Sequence, residues 1–158
     1  MLSRIVSVAA IALCAGPGWA TPKVDMDCAA EPGSPSSCVP MVGCIGNDGD
    51  YFTGRALGWN EGTLDGQTRA GVICVGGWEI SALTGEGHAA FECDDGTAGV
   101  ATMQYQDMQT GTATGRGYTA DGKLLEIWSG HNIRQFLMDR EGSVDGKLTC
   151  GDQVIPVS

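Results

Sequence analysis

The chain has 158 residues, 42% of them hydrophobic, and a formal net charge of −10. This length suits a single domain with a genuine hydrophobic core, and the strong negative charge disfavours nucleic acid and anionic lipid as partners. Glycine contributes 25 residues, more than twice its ordinary share of ~7%. The glycines stand in Asp-Gly, Glu-Gly and Gly-X-Gly steps between short apolar or Thr-rich runs, which is typical of an antiparallel β protein with many tight turns.

Residues 1–20 have the three-part pattern of a secretory signal peptide. Arg4 supplies a positive start, an apolar run follows over 5–15, and the small residues Gly18 and Ala20 suit positions −3 and −1 of a cleavage site. The apolar run is shorter than the about 20 residues that a membrane-spanning helix needs, and no later run approaches that length. The sequence therefore predicts a secreted or periplasmic protein without a membrane span.

Removal of this segment changes the cysteine count from odd to even. Of the seven cysteines, Cys14 lies in the signal segment. The others show neither the Cys-x2–4-Cys spacing of zinc sites nor the Cys-x-x-Cys of redox sites, so we predict three structural disulfides. Many pairings are possible. A preference for neighbours selects Cys28–Cys38 and Cys44–Cys74, and it leaves Cys93–Cys150, the two cysteines that end late strands.

Residues 21–40 form a Pro/Ser/Gly-rich segment that cysteines could tether to a single β domain at 41–158. Within that domain, 101–106 alternates apolar and polar residues, which indicates a half-buried strand. The sequence predicts an all-β fold, a small disulfide-stapled antiparallel barrel or sandwich of about seven to ten strands. The other predicted strands are 51–59, 71–75, 78–83, 88–93, 112–119, 124–128, 147–150 and 154–157, with turns at 76–77, 94–96 and 121–122.

One segment, 132–140, fits two structures. Ile133, Phe136 and Leu137 have helical spacing, with Asn132 as an N-cap and Gly142 as a stop. A strand would instead have Ile133, Gln135 and Leu137 alternating with Arg134, Phe136 and Met138. A short helix and a strand both remain open here.

Two acidic turns offer oxygen ligands of the kind that calcium prefers. Asp48 and Asp50 flank Gly49, and Asp94 and Asp95 precede Gly96. Neither turn has the spacing of an EF-hand loop, and Asp-Gly steps are ordinary turn formers. We favour plain turns and keep calcium binding as an alternative.

The two histidines suggest chemistry only weakly. Ser129, His131 and Asp139 could be written as a catalytic triad, but no Gly-x-Ser-x-Gly elbow supports it. A copper site could be drawn from both histidines together with Met103 and Met108, although Met103 suits a core-facing strand position. We therefore predict no catalytic residue, no metal and no cofactor.

A tryptophan beside a loop is the best candidate for an exposed binding residue. Trp59, Asn60 and Glu61 are predicted to form such a surface. Loss of Arg4 with the signal segment brings the formal charge from −10 to −11. We expect an exported, non-catalytic binding or interaction module, such as an inhibitor or accessory protein for a basic exported partner or another extracellular ligand. A small secreted hydrolase and a calcium-stabilised β module are the alternatives.

Overall fold

A computed structural model describes residues 28–140 and 146–155. The predicted signal peptide lies outside these residues. Eight antiparallel strands form a closed barrel in which each strand pairs with the next and β8 pairs with β1. This confirms the all-β prediction in its barrel form. The strands are β1 (Cys38–Ile45), β2 (Asp50–Trp59), β3 (Glu61–Thr68), β4 (Ile73–Ile80), β5 (Gly87–Cys93), β6 (Ala98–Asp107), β7 (Thr112–Thr119) and β8 (Leu124–Ser129).

The alternation of side chains decides which residues fill the barrel. In β6, Ala101, Met103 and Tyr105 belong to or pack against the inner apolar cluster, as their spacing predicted. Because side chains point to opposite faces with a period of two, the polar residues between them face outward. The inner cluster is completed by Met41, Ile45, Ala56, Leu64, Ala89, Ala113, Leu125 and Ile127.

The predicted turn at Gly76-Gly77 is wrong, because β4 runs through both glycines without a break. Gly76 faces the interior, where a Cβ would lie 2.1 Å from the carbonyl oxygen of Ala90 and 2.9 Å from Cδ1 of Leu64. Glycine is therefore present here because the backbones of neighbouring strands approach closely, which is one of the roles of glycine inside strands.

Three hairpins at one end of the barrel, the base, share a geometry. In each, a glycine N–H donates to the carbonyl three residues earlier, at 2.9 Å, and the glycine has a positive φ of 82–86°. These glycines are Gly71, Gly96 and Gly122. The hairpin predicted at Asp121-Gly122 is confirmed, but only the glycine takes the left-handed conformation. Alternate turns lie at the opposite end, which we call the mouth.

A second apolar cluster lies outside the barrel wall. Helix α1 (Ile133–Arg140) and a hairpin of β9 (Leu148–Cys150) and β10 (Gln153–Ile155) cover the outer face of β1 and β8. Here Leu137 packs in one buried cluster with Val42 and Trp128. The helical alternative for 132–140 is thus the correct one. Within 28–140 and 146–155, no helix is long and apolar enough to cross a membrane.

All six cysteines after Cys14 form disulfides. Cys28–Cys38 is paired as predicted and ties the Pro/Ser/Gly-rich segment to the start of β1. The other two predicted pairings, Cys44–Cys74 and Cys93–Cys150, are wrong. The structure has Cys44–Cys150 and Cys74–Cys93 instead. Three intramolecular disulfides are compatible with an oxidising compartment.

The reason for the correction is strand register. Cys74 and Cys93 are direct partners in the β4–β5 ladder, and both are inside the barrel wall with at most 4% exposure. Cys44 faces the other side, toward the outer cluster, where the β9–β10 hairpin brings Cys150. Cys44 and Cys74 thus lie on opposite sides of the wall.

Candidate functional site

The mouth of the barrel opens onto a cavity of about 50 Å³. Two aromatic rings, those of Trp78 and Tyr105, pack against the inner cluster at this level and line the cavity together with Trp59. Met103 and Met108 contribute thioether side chains to the same wall. The lining is thus mainly apolar, with three large aromatic residues and three methionines, and it also includes the polar residues Ser37, Asn60, His88, Gln109 and Ser129.

A hydrogen bond fixes the position of the Trp78 ring, and burial determines the protonation of the Tyr105 phenol. The indole N–H of Trp78, on β4, donates to the carbonyl of Leu57, on β2, at 3.1 Å, so this bond spans the intervening strand β3. Burial raises the pKa of the Tyr105 phenol above its ordinary value, because a phenolate would lose hydration there. Tyr105 is therefore a neutral phenol at physiological pH.

The turn between β2 and β3 has an unusual backbone. Asn60 has a φ of 65°, the only positive value at a non-glycine residue in the described chain. Asparagine tolerates this region better than most residues. The Asn60 carbonyl accepts a hydrogen bond from the N–H of Ile80 at 2.6 Å, so the turn is fixed to β4.

The structure divides the predicted surface of Trp59, Asn60 and Glu61 between two places. Trp59 and Asn60 line the mouth cavity, whereas Glu61 is exposed and lines a groove on the outside of the barrel. The three residues are therefore neighbours in sequence that face two adjacent concave regions. Their role in binding remains a prediction.

The outer groove is much larger, about 1210 Å³, and extends across β2 to β7. Strand register places Tyr118 beside Val100, Val100 beside Ala90, and Ala90 beside Gly77. Tyr118 is 61% exposed and Val100 is 62% exposed. A row of small and apolar residues therefore crosses the floor of the groove in contact with solvent.

A charged row runs beside the apolar one. Glu61 lies directly opposite Glu79, and Glu79 lies opposite His88. On the far side, Arg116 Nη2 lies 3.0 Å from Glu126 Oε1. The Glu61–Glu79 end of the groove thus has two adjacent negative charges, whereas the Arg116 end is charge-balanced.

The suggested triad residues are bonded to other groups. His131 Nε2 lies 3.0 Å from the carbonyl oxygen of Cys38, and the Ser129 hydroxyl donates to the carbonyl of Gly111 at 3.0 Å. Asp139 is on exposed helix surface, where it accepts a hydrogen bond from Gln135. The polar groups of this trio therefore serve separate structural contacts.

The acidic turns do not form compact ligand sets among the described residues. Asp50 and Asp95 each accept a hydrogen bond from a nearby backbone N–H, those of Tyr51 and Thr97. The bonds to Thr97 hold the pKa of Asp95 below its usual range. Within the part of the chain that the structure describes, no three His, Cys, Asp or Glu side chains are grouped so as to hold a metal ion.

Three members of the suggested copper set, His88, Met103 and Met108, contribute to the lining of the mouth cavity, although strand alternation puts His88 and Met103 on opposite faces of the barrel wall. His88 is exposed, whereas Met103 is only 5% exposed inside the barrel. This places Met103 in the core, as its strand position indicated.

Sequence reasoning missed the groove. Val100 and Tyr118 belong to strands that the sequence predicted in whole or in part, and both occupy outward positions where apolar residues are unusual in a polar face. The presence of these apolar residues at outward positions is a signal that sequence reasoning could have used to find the groove. Their adjacency to Ala90 and Gly77, however, depends on the register of four strands.

No protein-family model matches this chain, and no curated protein is significantly similar to it. Among solved structures, the chain is similar to a de novo designed fluorescence-activating β-barrel. The two are 18% identical with a TM-score of 0.47, over 59% of this chain and 89% of the designed one. A similarity this weak carries no functional argument.

Proposed function

We propose that this chain is an exported, non-catalytic binding module that docks a basic partner in its outer groove. The proposal covers secretion or export to the periplasm, in agreement with the signal-like segment at 1–20 and the three disulfides. The partner would be another exported protein, which this chain would inhibit or assist.

The observation that carries the proposal is the combination of exposed apolar and acidic side chains in one concave surface. Val100 and Tyr118 supply apolar area that is more than half exposed. Glu61 and Glu79 are exposed direct neighbours across two strands, and like charges in this arrangement oppose folding. A cationic group placed between them would relieve that repulsion, so the pair favours binding of a lysine or arginine side chain.

The net charge of the whole chain acts in the same direction. A formal charge of −10 attracts a basic protein at long range and raises the rate of encounter. Contacts in the groove would then supply specificity. This division predicts that binding weakens as salt rises.

The test uses the disulfide-bonded domain as immobilised bait for exported proteins of its own host. Captured proteins are identified by mass, and capture is repeated at about 0.5 M salt. We expect basic proteins that elute with salt and that are lost on the double change Glu61→Gln/Glu79→Gln. The matched control, Glu92→Gln/Asp94→Asn, removes the same charge at the base and should retain capture.

Two results would overturn the proposal. One is a set of captured proteins with no basic bias and no dependence on salt. The other is equal loss in both double variants, because this would show that total charge acts without the groove. Val100→Ser tests the apolar contribution separately, and we expect it to weaken capture without altering the salt dependence.

A further inference from the structure

The mouth cavity points to a second site, and we infer that it binds the trimethylammonium head of a compact organic cation. This site is separate from the outer groove and does not rest on the proposed docking function. Its walls are formed by inward residues at the upper ends of several strands and by the Trp59–Asn60 turn. The ligand class follows from the size, lining and charge of this cavity.

Size comes first. The cavity has a volume of about 50 Å³, several times the ~10–15 Å³ that one water molecule requires. It can therefore accept a group of a few heavy atoms. The space exists because small residues, Ala56, Gly87 and Ala89, stand on the wall where larger ones would fill it.

The cavity also has a floor. A separate cavity of about 30 Å³ lies deeper in the barrel, lined by apolar residues that include Phe52, Leu64 and Phe91. Met41 and Ala89 line both cavities and separate them. A head group can therefore enter only to the level of these two residues, and the rest of the ligand must leave through the mouth.

The lining favours a soft cation. The faces of tryptophan and tyrosine rings attract quaternary ammonium groups, and such groups are bound by aromatic cages. Trp59, Trp78 and Tyr105 provide three rings around one cavity. Methionine sulfur adds a polarisable surface. A hard ion such as calcium would find few oxygen ligands in this lining.

The charge around the mouth selects a cation over a neutral molecule. The mouth turns at 59–61, 81–86, 107–111 and 130–132 contain Glu61, Glu86 and Asp107, no lysine or arginine, and His131. His88 also lines the cavity. Turns at the base contain both signs, with Arg69 and Lys123 among the acids. The three carboxylates outnumber the two histidines, so the mouth carries a net negative charge that favours cations.

The Asp107 carboxylate contributes a negative charge to the mouth. It accepts hydrogen bonds from the Thr110 hydroxyl at 2.7 Å and from the Gln109 N–H at 2.9 Å. These bonds lower the pKa of Asp107, so the group stays ionised across the physiological range. It follows Tyr105 and Gln106 directly at the end of β6, beside the aromatic lining.

The decisive experiment compares choline with 3,3-dimethylbutan-1-ol, a neutral molecule of the same shape. Both are titrated into the purified disulfide-bonded domain by calorimetry at low and physiological salt. We expect choline to bind at least about fivefold more tightly than the alcohol, because only choline gains the cation–π attraction. Equal binding of the two compounds, or no binding of choline, would overturn the inference.

Variants locate the site. Trp59→Leu should weaken choline binding at least about fivefold. Tyr118→Leu removes an aromatic ring from the outer groove and should leave choline binding unchanged. Both side chains are at least partly exposed, and near-ultraviolet circular dichroism checks that each variant is folded. Loss of choline binding in Tyr118→Leu alone would place the cation in the groove and refute the mouth site.

The same head group occurs in free choline compounds and in phosphatidylcholine. Flotation with phosphatidylcholine vesicles, with phosphatidylglycerol vesicles as the control, separates these sources. Binding of free choline without flotation identifies a soluble ligand, and selective flotation with phosphatidylcholine identifies the lipid head group. Equal flotation with both lipids, without choline binding, would contradict the inference.

Discussion

Glu61 and Glu79 lie directly opposite each other on β3 and β4, at the outer surface of the barrel. Both are exposed, and no salt bridge to either is found among the described residues. Two like charges in direct cross-strand register reduce stability. Substitution of these glutamates therefore allows their effect on the free energy of unfolding to be measured separately from their effect on partner binding.

Glu79→Gln should increase the free energy of unfolding by roughly 0.2–1 kcal/mol, because it removes this repulsion. Urea unfolding at low and high salt measures the effect, and the gain should shrink as salt screens the charges. Glu92→Gln, an exposed glutamate that faces Val75 across β4 and β5, provides the control and should show no such gain. A stability decrease in Glu79→Gln would contradict the repulsive interpretation.

Adjacent glycines in β4 should respond oppositely to alanine. Gly76→Ala places a Cβ 2.1 Å from the Ala90 carbonyl oxygen and should cost about 2–3 kcal/mol or more. Gly77→Ala meets the Gly62 carbonyl oxygen at 3.5 Å on the exposed face and should stabilise the strand by about 0.5 kcal/mol. Thermal unfolding of both variants tests this pair, and similar losses in both would show that the two faces are assigned wrongly.

The disulfides should differ in their contribution to stability. Cys44–Cys150 closes a separation of 106 residues and Cys28–Cys38 one of 10. Loop entropy predicts that replacing the first pair by alanine costs about 2 kcal/mol more than replacing the second. All four cysteines are buried, so the expected difference rests on loop length. Denaturant unfolding of the two double variants decides, and a larger loss for Cys28–Cys38 would contradict the prediction.

Tyr105 should make the stability sensitive to alkaline pH. Its pKa is raised in the folded chain, so the unfolded chain loses the phenolic proton first, near pH ~10. The stabilising contribution is complete below that value and is lost as pH rises through the folded pKa. Tyr105→Phe should therefore lose less stability than the wild type between about pH 9 and 11. Parallel pH profiles for the two proteins would refute this assignment.

Local sequence patterns were sufficient for most of the architecture. The alternation of Ala101, Met103 and Tyr105 predicted β6 and its inward face, and the Asp121-Gly122 step predicted a hairpin. The same reasoning fails at Gly76, because the sequence alone does not distinguish a glycine required by close strand approach from one required by a turn. Only the packing of Gly76 against Ala90 distinguishes them.

Long-range features were harder to predict for a physical reason. The pairing of Cys74 with Cys93 depends on the register of β4 and β5, and the contact of Cys44 with Cys150 depends on a hairpin that folds back over the barrel. The groove likewise combines residues from six strands. Trp59 was identified correctly as a residue beside a loop, but its place at the mouth depends on the closure of the barrel.

The shared hairpin geometry at the base has a practical consequence. A Cβ built on Gly96 or Gly122 meets no described atom within 4 Å, and both glycines stand at exposed hairpin tips, at the end of the molecule opposite the mouth. Peptide insertions at these tips are expected to be tolerated. A tether or fluorophore introduced there would hold every molecule on a sensor surface with its mouth toward the solution, so that ligand entry is unobstructed.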